Sequence, residues 1–81
     1  MNNIDSLELK RLGAHTNTKL FRIKIMENDT TQAELAEEYG VSKQTFSAWV
    51  TGRITPPLNT GLWIAARLGC KVEDLWTHKE E

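Results

Sequence analysis

The sequence has few of the features that mark secreted, membrane-bound or disulfide-stabilised proteins. Its 81 residues include one cysteine, so no disulfide can form within the chain. No apolar run approaches the roughly 20 residues that a transmembrane helix needs. The polar start MNNIDSLELK lacks the apolar stretch of a secretion signal. We therefore expect a cytoplasmic protein with one small domain, in which Cys70 packs as a small apolar side chain.

Groups that catalyse reactions or bind metals are equally sparse. The two histidines, His15 and His78, are far apart in the sequence and have no cysteine neighbours. This is not the spacing of a metal site or of a general base with its partners. A single core of this size also leaves little room for an enzyme cleft. We expect the protein not to be an enzyme and to use no metal or other cofactor.

The net charge of −1 is small, but the charges are unevenly distributed. Residues 1–26 contain five basic and two acidic residues, whereas residues 27–40 contain five acidic residues and no basic one. Residues 41–55 contain Lys43 and Arg53 and no acid. A segment without acidic side chains can approach a polyanion without repulsion, so this segment is the candidate binding site.

Two short helices are predicted in the middle of the chain. Thr31 and Glu34 have the spacing of a capping box, in which each side chain accepts a hydrogen bond from the backbone N–H of the other. The apolar residues that follow share one helix face: Leu35, Ala36 and Tyr39. Gly40 ends this helix, and Ser42 is a good N-cap for a second helix at about 42–51.

The second helix divides into two faces. One face carries the large apolar residues, which we expect in the core: Phe46, Trp49 and Val50. The other face carries small, polar or basic residues, which we expect to be exposed: Lys43, Gln44, Ser47, Ala48 and Thr51. Gly52 ends the helix. A short helix with an exposed face free of acids meets the physical demands of DNA recognition.

The other elements are predicted from local signals. The two prolines make 53–57 a connector, and amphipathic helices follow at about 59–68 and 72–77. Residues 21–25 alternate as a strand would, but no other segment is a convincing strand partner, so we predict a helix over 18–27. Residues 1–17 form an extension, either a mobile segment or one with a short turn around 6–12.

The central stretch TQAELAEEYGVSKQTFSAWVTGR resembles the helix-turn-helix of Cro/repressor-type domains, the lambda-repressor-like or xenobiotic-response-element family. The likeness continues through PPLNTGLWIAARLGCKVEDLW and covers roughly residues 19–77. It implies an all-α fold of five helices over 18–78, with an N-terminal extension over 1–17 and a tail over 79–81.

The resemblance also implies roles for individual residues. Base edges in the major groove would be contacted by Lys43, Gln44 and Ala48, with Ser47 able to support a base or a phosphate contact. Lysine can donate to guanine, glutamine can pair with adenine, and an alanine methyl can contact the thymine methyl. The implied phosphate contacts are Gln32, Thr51 and Arg53.

The sequence departs from the family pattern in three features, one of which is Lys71 in place of the usual serine cap before the final helix. Many members pair an arginine in the first helix with a glutamate in the recognition helix, where this sequence has Ile25 and Val50. Replacing both partners by apolar residues leaves no stranded charge, so the fold can tolerate the change. Trp63 replaces a residue that is usually polar, so we expect it to be exposed. It is a candidate dimer or partner surface, or it packs under the N-terminal segment.

The sequence therefore predicts a protein that binds a specific double-stranded DNA sequence and regulates transcription. The resemblance implies a homodimer on an inverted repeat, repression rather than activation, and an origin among bacterial, phage or mobile-element regulators. Two other hypotheses remain open. The chain could be an antitoxin that also binds a protein partner such as a toxin or an anti-repressor, or a helix-turn-helix module used only for protein contacts.

The N-terminal extension also has two interpretations. Lys10 and Arg11 could enter a minor groove or lie in a solvated tail.

Overall fold

The computed structural model describes residues 15–77 and shows five helices with a two-stranded ribbon. The helices are α1 (Thr18–Glu27), α2 (Gln32–Tyr39), α3 (Lys43–Thr51), α4 (Leu58–Leu68) and α5 (Val72–Leu75). The strands are β1 (His15–Thr16) and β2 (Trp76–Thr77). The bounds predicted for α1 are confirmed, and α4 begins one residue earlier than predicted. The helix predicted to reach residue 77 ends at Leu75, because Trp76 and Thr77 are extended.

The ribbon joins the two ends of the described chain. β1 and β2 are antiparallel, with His15 opposite Thr77 and Thr16 opposite Trp76. Asn17 continues the connection, since its backbone N–H donates to Leu75 O at 2.7 Å while its side chain caps α1. Residues 15–17 therefore pack with the helices, which corrects the prediction that they belong to the N-terminal extension. The remaining predictions for residues 1–14, including the positions of Lys10 and Arg11, and for the tail lie outside the described residues.

The helix ends follow the local signals in the sequence. The side chains of Thr31 and Ser42 accept hydrogen bonds from the backbone N–H groups of Glu34 and Thr45, as N-caps do. The other predicted bond of the capping box, from the Thr31 N–H to the Glu34 carboxylate, is wrong. That carboxylate accepts instead from the Thr30 hydroxyl at 2.9 Å. Gly40 ends α2 with a left-handed backbone, at a φ of 90°.

One core lies between the helices. Its fully buried large side chains are Phe21, Phe46, Leu35, Ile64, Leu75 and Val50. Ile25 is also buried, at 6% exposure, so both residues that replace the family's ion pair are in the core. Phe21 contacts the rings of Phe46 and Trp76 edge to face, an arrangement that aromatic pairs prefer.

Polar contacts fix the outer helices on this core. Arg67 of α4 donates two hydrogen bonds to the Glu38 carboxylate of α2, at 2.8 and 3.0 Å. Tyr39 and Thr60 share a hydroxyl hydrogen bond of 2.7 Å between the same two helices. These contacts set the position of α2 and, through it, of α3. Within residues 15–77, no helix has the length and apolarity needed to cross a membrane.

Candidate nucleic-acid interface

A tight turn joins α2 to α3. Backbone hydrogen bonds and the close packing of the two helices both hold it in place. The N–H groups of Gly40 and Val41 both donate to Ala36 O, at 2.8 and 2.9 Å. Ala36 itself is only 2% exposed. A longer side chain at this position would push the two helices apart. The small residue and the glycine together hold α3 in a fixed orientation against α2.

The apolar and polar faces of α3 are separated largely as predicted. Phe46, Trp49 and Val50 are buried, which confirms the predicted core face. On the opposite side Lys43, Gln44 and Thr51 are exposed and Ser47 is half-buried. The exposed surface of the helix is therefore made of side chains that can donate or accept hydrogen bonds.

A shallow depression of about 230 Å³ brings four of these residues together: Lys43, Gln44, Ser47 and Arg53. The sequence from 41 to 55 contains no acid. Neither Lys43 nor Arg53 forms an ion pair with a carboxylate in residues 15–77. Two cations without a carboxylate partner in the described part of the chain therefore flank an amide and a hydroxyl, a combination suited to an anionic partner with hydrogen-bonding edges.

Ala48 contradicts the prediction that it is exposed. It is 3% exposed, although it lies on the same half of α3 as Gln44. The connector after the helix returns to this turn of α3, since the Ile54 N–H donates to Ala48 O at 3.2 Å. The predicted exposure of Ala48 is therefore wrong, and its methyl group has little surface with which to contact a thymine.

Thr51 is exposed, but its hydroxyl is already engaged. Its Oγ1 donates to Ser47 O at 3.0 Å, within the same helix. A phosphate oxygen can only accept hydrogen bonds, so this hydroxyl must turn away from Ser47 before it can donate to DNA.

Gln32 lies at the start of α2, beside a larger depression of about 480 Å³ between α1 and α2. The exposed N–H groups of a helix start favour an anion at this place. The charged residues that line the depression have mixed signs: Arg22, Asp29 and Glu34. The electrostatic preference for an anion is therefore weaker here than beside α3.

Trp63 is half-buried, which corrects the expectation that it is exposed. Its ring lies against Tyr39, with the ring centroids 4.8 Å apart, and it packs on the core. The exposed large apolar residue of α4 is the neighbouring Leu62, at 54%. The large side chain of Trp63 thus serves mainly to hold α4 against α2.

Thr18, which was not among the predicted site residues, holds the end of α3. The Thr18 hydroxyl donates to Val50 O at 2.7 Å, across 32 residues of sequence. Carbonyls in the last turn of a helix lack partners within the helix. The hydroxyl supplies such a partner from α1, and no local signal in the sequence points to this pairing.

In the part of the chain that the structure describes, the other reactive groups do not form a second site. Within residues 15–77, no group of three or more histidine, cysteine or acidic side chains could hold a metal ion. Cys70 packs against the core, and burial, with a smaller contribution from Asp74, raises the pKa of its thiol. A protonated thiol is a poor nucleophile, which fits the expected packing role.

Comparison with known proteins agrees with this geometry. The helix-turn-helix family matches residues 21–75. The chain belongs to this family. It is also 35% identical, over 54 residues, to an uncharacterised HTH-type transcriptional regulator of Methanocaldococcus jannaschii, covering 67% of this chain and 82% of that protein. No solved structure matches the chain significantly.

In this helix-turn-helix protein, α2 and α3 form the motif, and α3 is the recognition helix. The predicted Cro/repressor type and the all-α, lambda-repressor-like fold are both confirmed. The short β1–β2 ribbon is an addition that the all-α prediction did not include.

Proposed function

We propose that this protein is a transcriptional regulator that recognises a specific double-stranded DNA sequence with α3. The observation that carries the proposal is the depression formed by Lys43, Gln44, Ser47 and Arg53, which is free of acids and exposed on the second helix of the motif. α3 would lie in the major groove, where lysine, glutamine and serine can each hydrogen-bond to base edges.

The same proposal includes the DNA backbone and a second copy of the protein. The start of α2, with Gln32, would contact one phosphate, and Thr51 would contact another after its hydroxyl turns. A homodimer would place two α3 helices in half-sites one helical turn apart, on an inverted repeat. Binding there would repress transcription by occupying an operator, in the cytoplasm of a bacterial cell or from a phage genome.

The net charge of −1 predicts how the affinity for DNA depends on salt concentration. Neutralised phosphates make DNA affinity fall steeply as salt rises. With few cations near α3, we expect weak non-specific binding and a salt dependence well below that of about ten neutralised phosphates.

Selection from random-sequence duplexes, at about physiological salt, tests the proposal. We expect the purified protein to enrich an inverted repeat. The matched control is the double variant Lys43→Ala with Gln44→Ala, which alters only exposed side chains and should remain folded but enrich no such site. If the folded wild-type protein enriches no sequence, DNA recognition is wrong and the protein-binding hypotheses take its place.

A further inference from the structure

The connector after α3 turns back along the recognition helix. Gly52 has a φ of 84°, a left-handed backbone that reverses the chain. Two residues later, the Ile54 N–H is bonded to Ala48 O at 3.2 Å. Arg53 lies between these two fixed points, and its side chain lines the depression with Lys43, Gln44 and Ser47.

The fold-back lies beside a buried position of α3. Ala48 is only 3% exposed, which leaves its methyl group little surface for contact with a base. The fold-back brings Arg53, which is exposed and forms no ion pair within residues 15–77, beside Lys43, Gln44 and Ser47. Arg53, which lies outside the helix, thus occupies part of the accessible surface of the recognition helix, where Ala48 is buried.

Arginine has the chemistry for base recognition at this place. Its planar guanidinium can donate two parallel hydrogen bonds to O6 and N7 of guanine, the commonest specific contact in the major groove. We propose that Arg53 recognises a guanine and is a specificity-determining residue, rather than the phosphate contact that the family resemblance implied. This inference rests on the proposed DNA recognition by α3. The guanine would lie towards the end of the half-site that faces Ser47, beyond the bases contacted by Lys43 and Gln44.

The test uses the full chain and the duplex that the wild-type protein selects. Affinities of the wild-type, Arg53→Ala and Arg53→Lys proteins are measured for that duplex and for every single base-pair change in one half-site. Arg22→Ala is the matched control, because Arg22 is also an exposed arginine without an ion pair in the described chain but lies on α1.

If Arg53 contacts a guanine, its substitution should reduce affinity only for duplexes that carry that G·C pair. Arg53→Ala should weaken binding to the selected duplex roughly ten- to hundredfold, and should have little effect once that G·C pair is changed. Arg53→Lys keeps the charge but lacks the planar fork, so it should lose most of the discrimination at the same pair. The salt dependence should be unchanged, and Arg22→Ala should alter discrimination at no position.

Two results would overturn the inference while leaving DNA recognition intact. One is an equal loss on all duplexes for Arg53→Ala, with one fewer neutralised phosphate and recovery in Arg53→Lys, which marks a phosphate contact. The other is no loss on any duplex. If the wild-type protein itself selects no sequence, both this inference and the proposed function are wrong.

Discussion

Gly61 lies directly against the indole ring of Trp76. A Cβ atom at position 61 would be 3.3 Å from Cζ3 of Trp76 and 3.4 Å from Cγ2 of Val72. The backbone of Gly61 is that of an ordinary helix within α4, so the size of the side chain at this position is limited by the close approach of Trp76 and not by a special backbone conformation. The large ring at 76 occupies the space that a side chain at 61 would fill.

This contact predicts opposite results for two substitutions. Gly61→Ala should leave stability unchanged or raise it by up to about 1 kcal/mol, because alanine favours the helix. The ring can shift into an adjacent cavity of about 40 Å³ that is lined by both residues. Gly61→Leu should destabilise the fold by about 1–3 kcal/mol through overpacking. Urea unfolding measures both, and a loss in Gly61→Ala as large as that in Gly61→Leu would show that the ring cannot move.

Lys43→Ala and Gln44→Ala should each weaken binding to the selected duplex by about 1–3 kcal/mol and relax specificity at one base pair. Both side chains are exposed, so the melting temperature should change little. Titrations with single base-pair variants measure the effect, and Lys19→Ala, on the exposed side of α1, is the control. Equal weakening on every duplex would identify the two residues as phosphate contacts.

Ala48→Gly separates packing from base recognition. Because Ala48 is buried, the variant should lose about 1 kcal/mol of helix preference and about 0.8 kcal/mol from the missing methyl group. Its specificity for bases should stay unchanged. Ala66→Gly is the matched control, since Ala66 is exposed on α4 and should lose only the helix preference. Relaxed specificity at a thymine in Ala48→Gly would restore the base contact that burial argues against.

The ion pair between Glu38 and Arg67 predicts a dependence on pH. The hydrogen bond from Arg67 lowers the pKa of the Glu38 carboxyl below its ordinary value of 4.5. A carboxyl with a lowered pKa in the folded state stabilises the protein above its unfolded pKa, and this contribution disappears as pH falls through the folded value. Glu38→Gln should therefore melt at a lower temperature than the wild-type protein at pH 7, and the difference should shrink at about pH 3.

The control for this experiment is Glu37→Gln. Glu37 is an exposed neighbour with no ion pair in the described residues. Its melting temperature should follow that of the wild-type protein at both pH values. A gap for Glu38→Gln that stays constant between pH 7 and pH 3 would mean that the ionised pair is not the source of the stabilisation.

Features that depend on neighbouring residues were predictable from the sequence. The ends of α2 and α3 follow from Thr31, Gly40, Ser42 and Gly52, because caps and left-handed turns are made by residues within one helical turn. The polar face of α3 followed from helical periodicity for the same reason, which placed Lys43, Gln44 and Ser47 on the accessible side of the helix.

Features made by distant contacts were not predictable. The ribbon pairs His15 with Thr77, and strands of two residues carry no alternation pattern to detect. Ala48 is buried although helical periodicity places it on the exposed face of α3, and Trp63 packs against the ring of Tyr39 from another helix. Helical periodicity assigns residues to faces of an isolated helix, but burial of a particular residue depends on what the rest of the chain places over it.

Thr18 shows how such a distant contact can be tested at the end of the recognition helix. Thr18→Val keeps the shape of the side chain and removes the donor to Val50 O, a bond of 2.7 Å. Val50 is fully buried, so its carbonyl loses its partner where water has little access, which should destabilise the protein by about 1–3 kcal/mol. Amide hydrogen exchange should also become faster in the last turn of α3.

Thr51→Val is the matched control for that variant. It removes a hydroxyl from the same end of α3, but the lost bond is to Ser47 O on the exposed side of the helix. Exposed polar groups can exchange such a bond for one with water, so the change in stability should be within about 0.5 kcal/mol. Equal losses in the two variants would mean that helix preference, and not the bond from α1, determines the stability of this helix end.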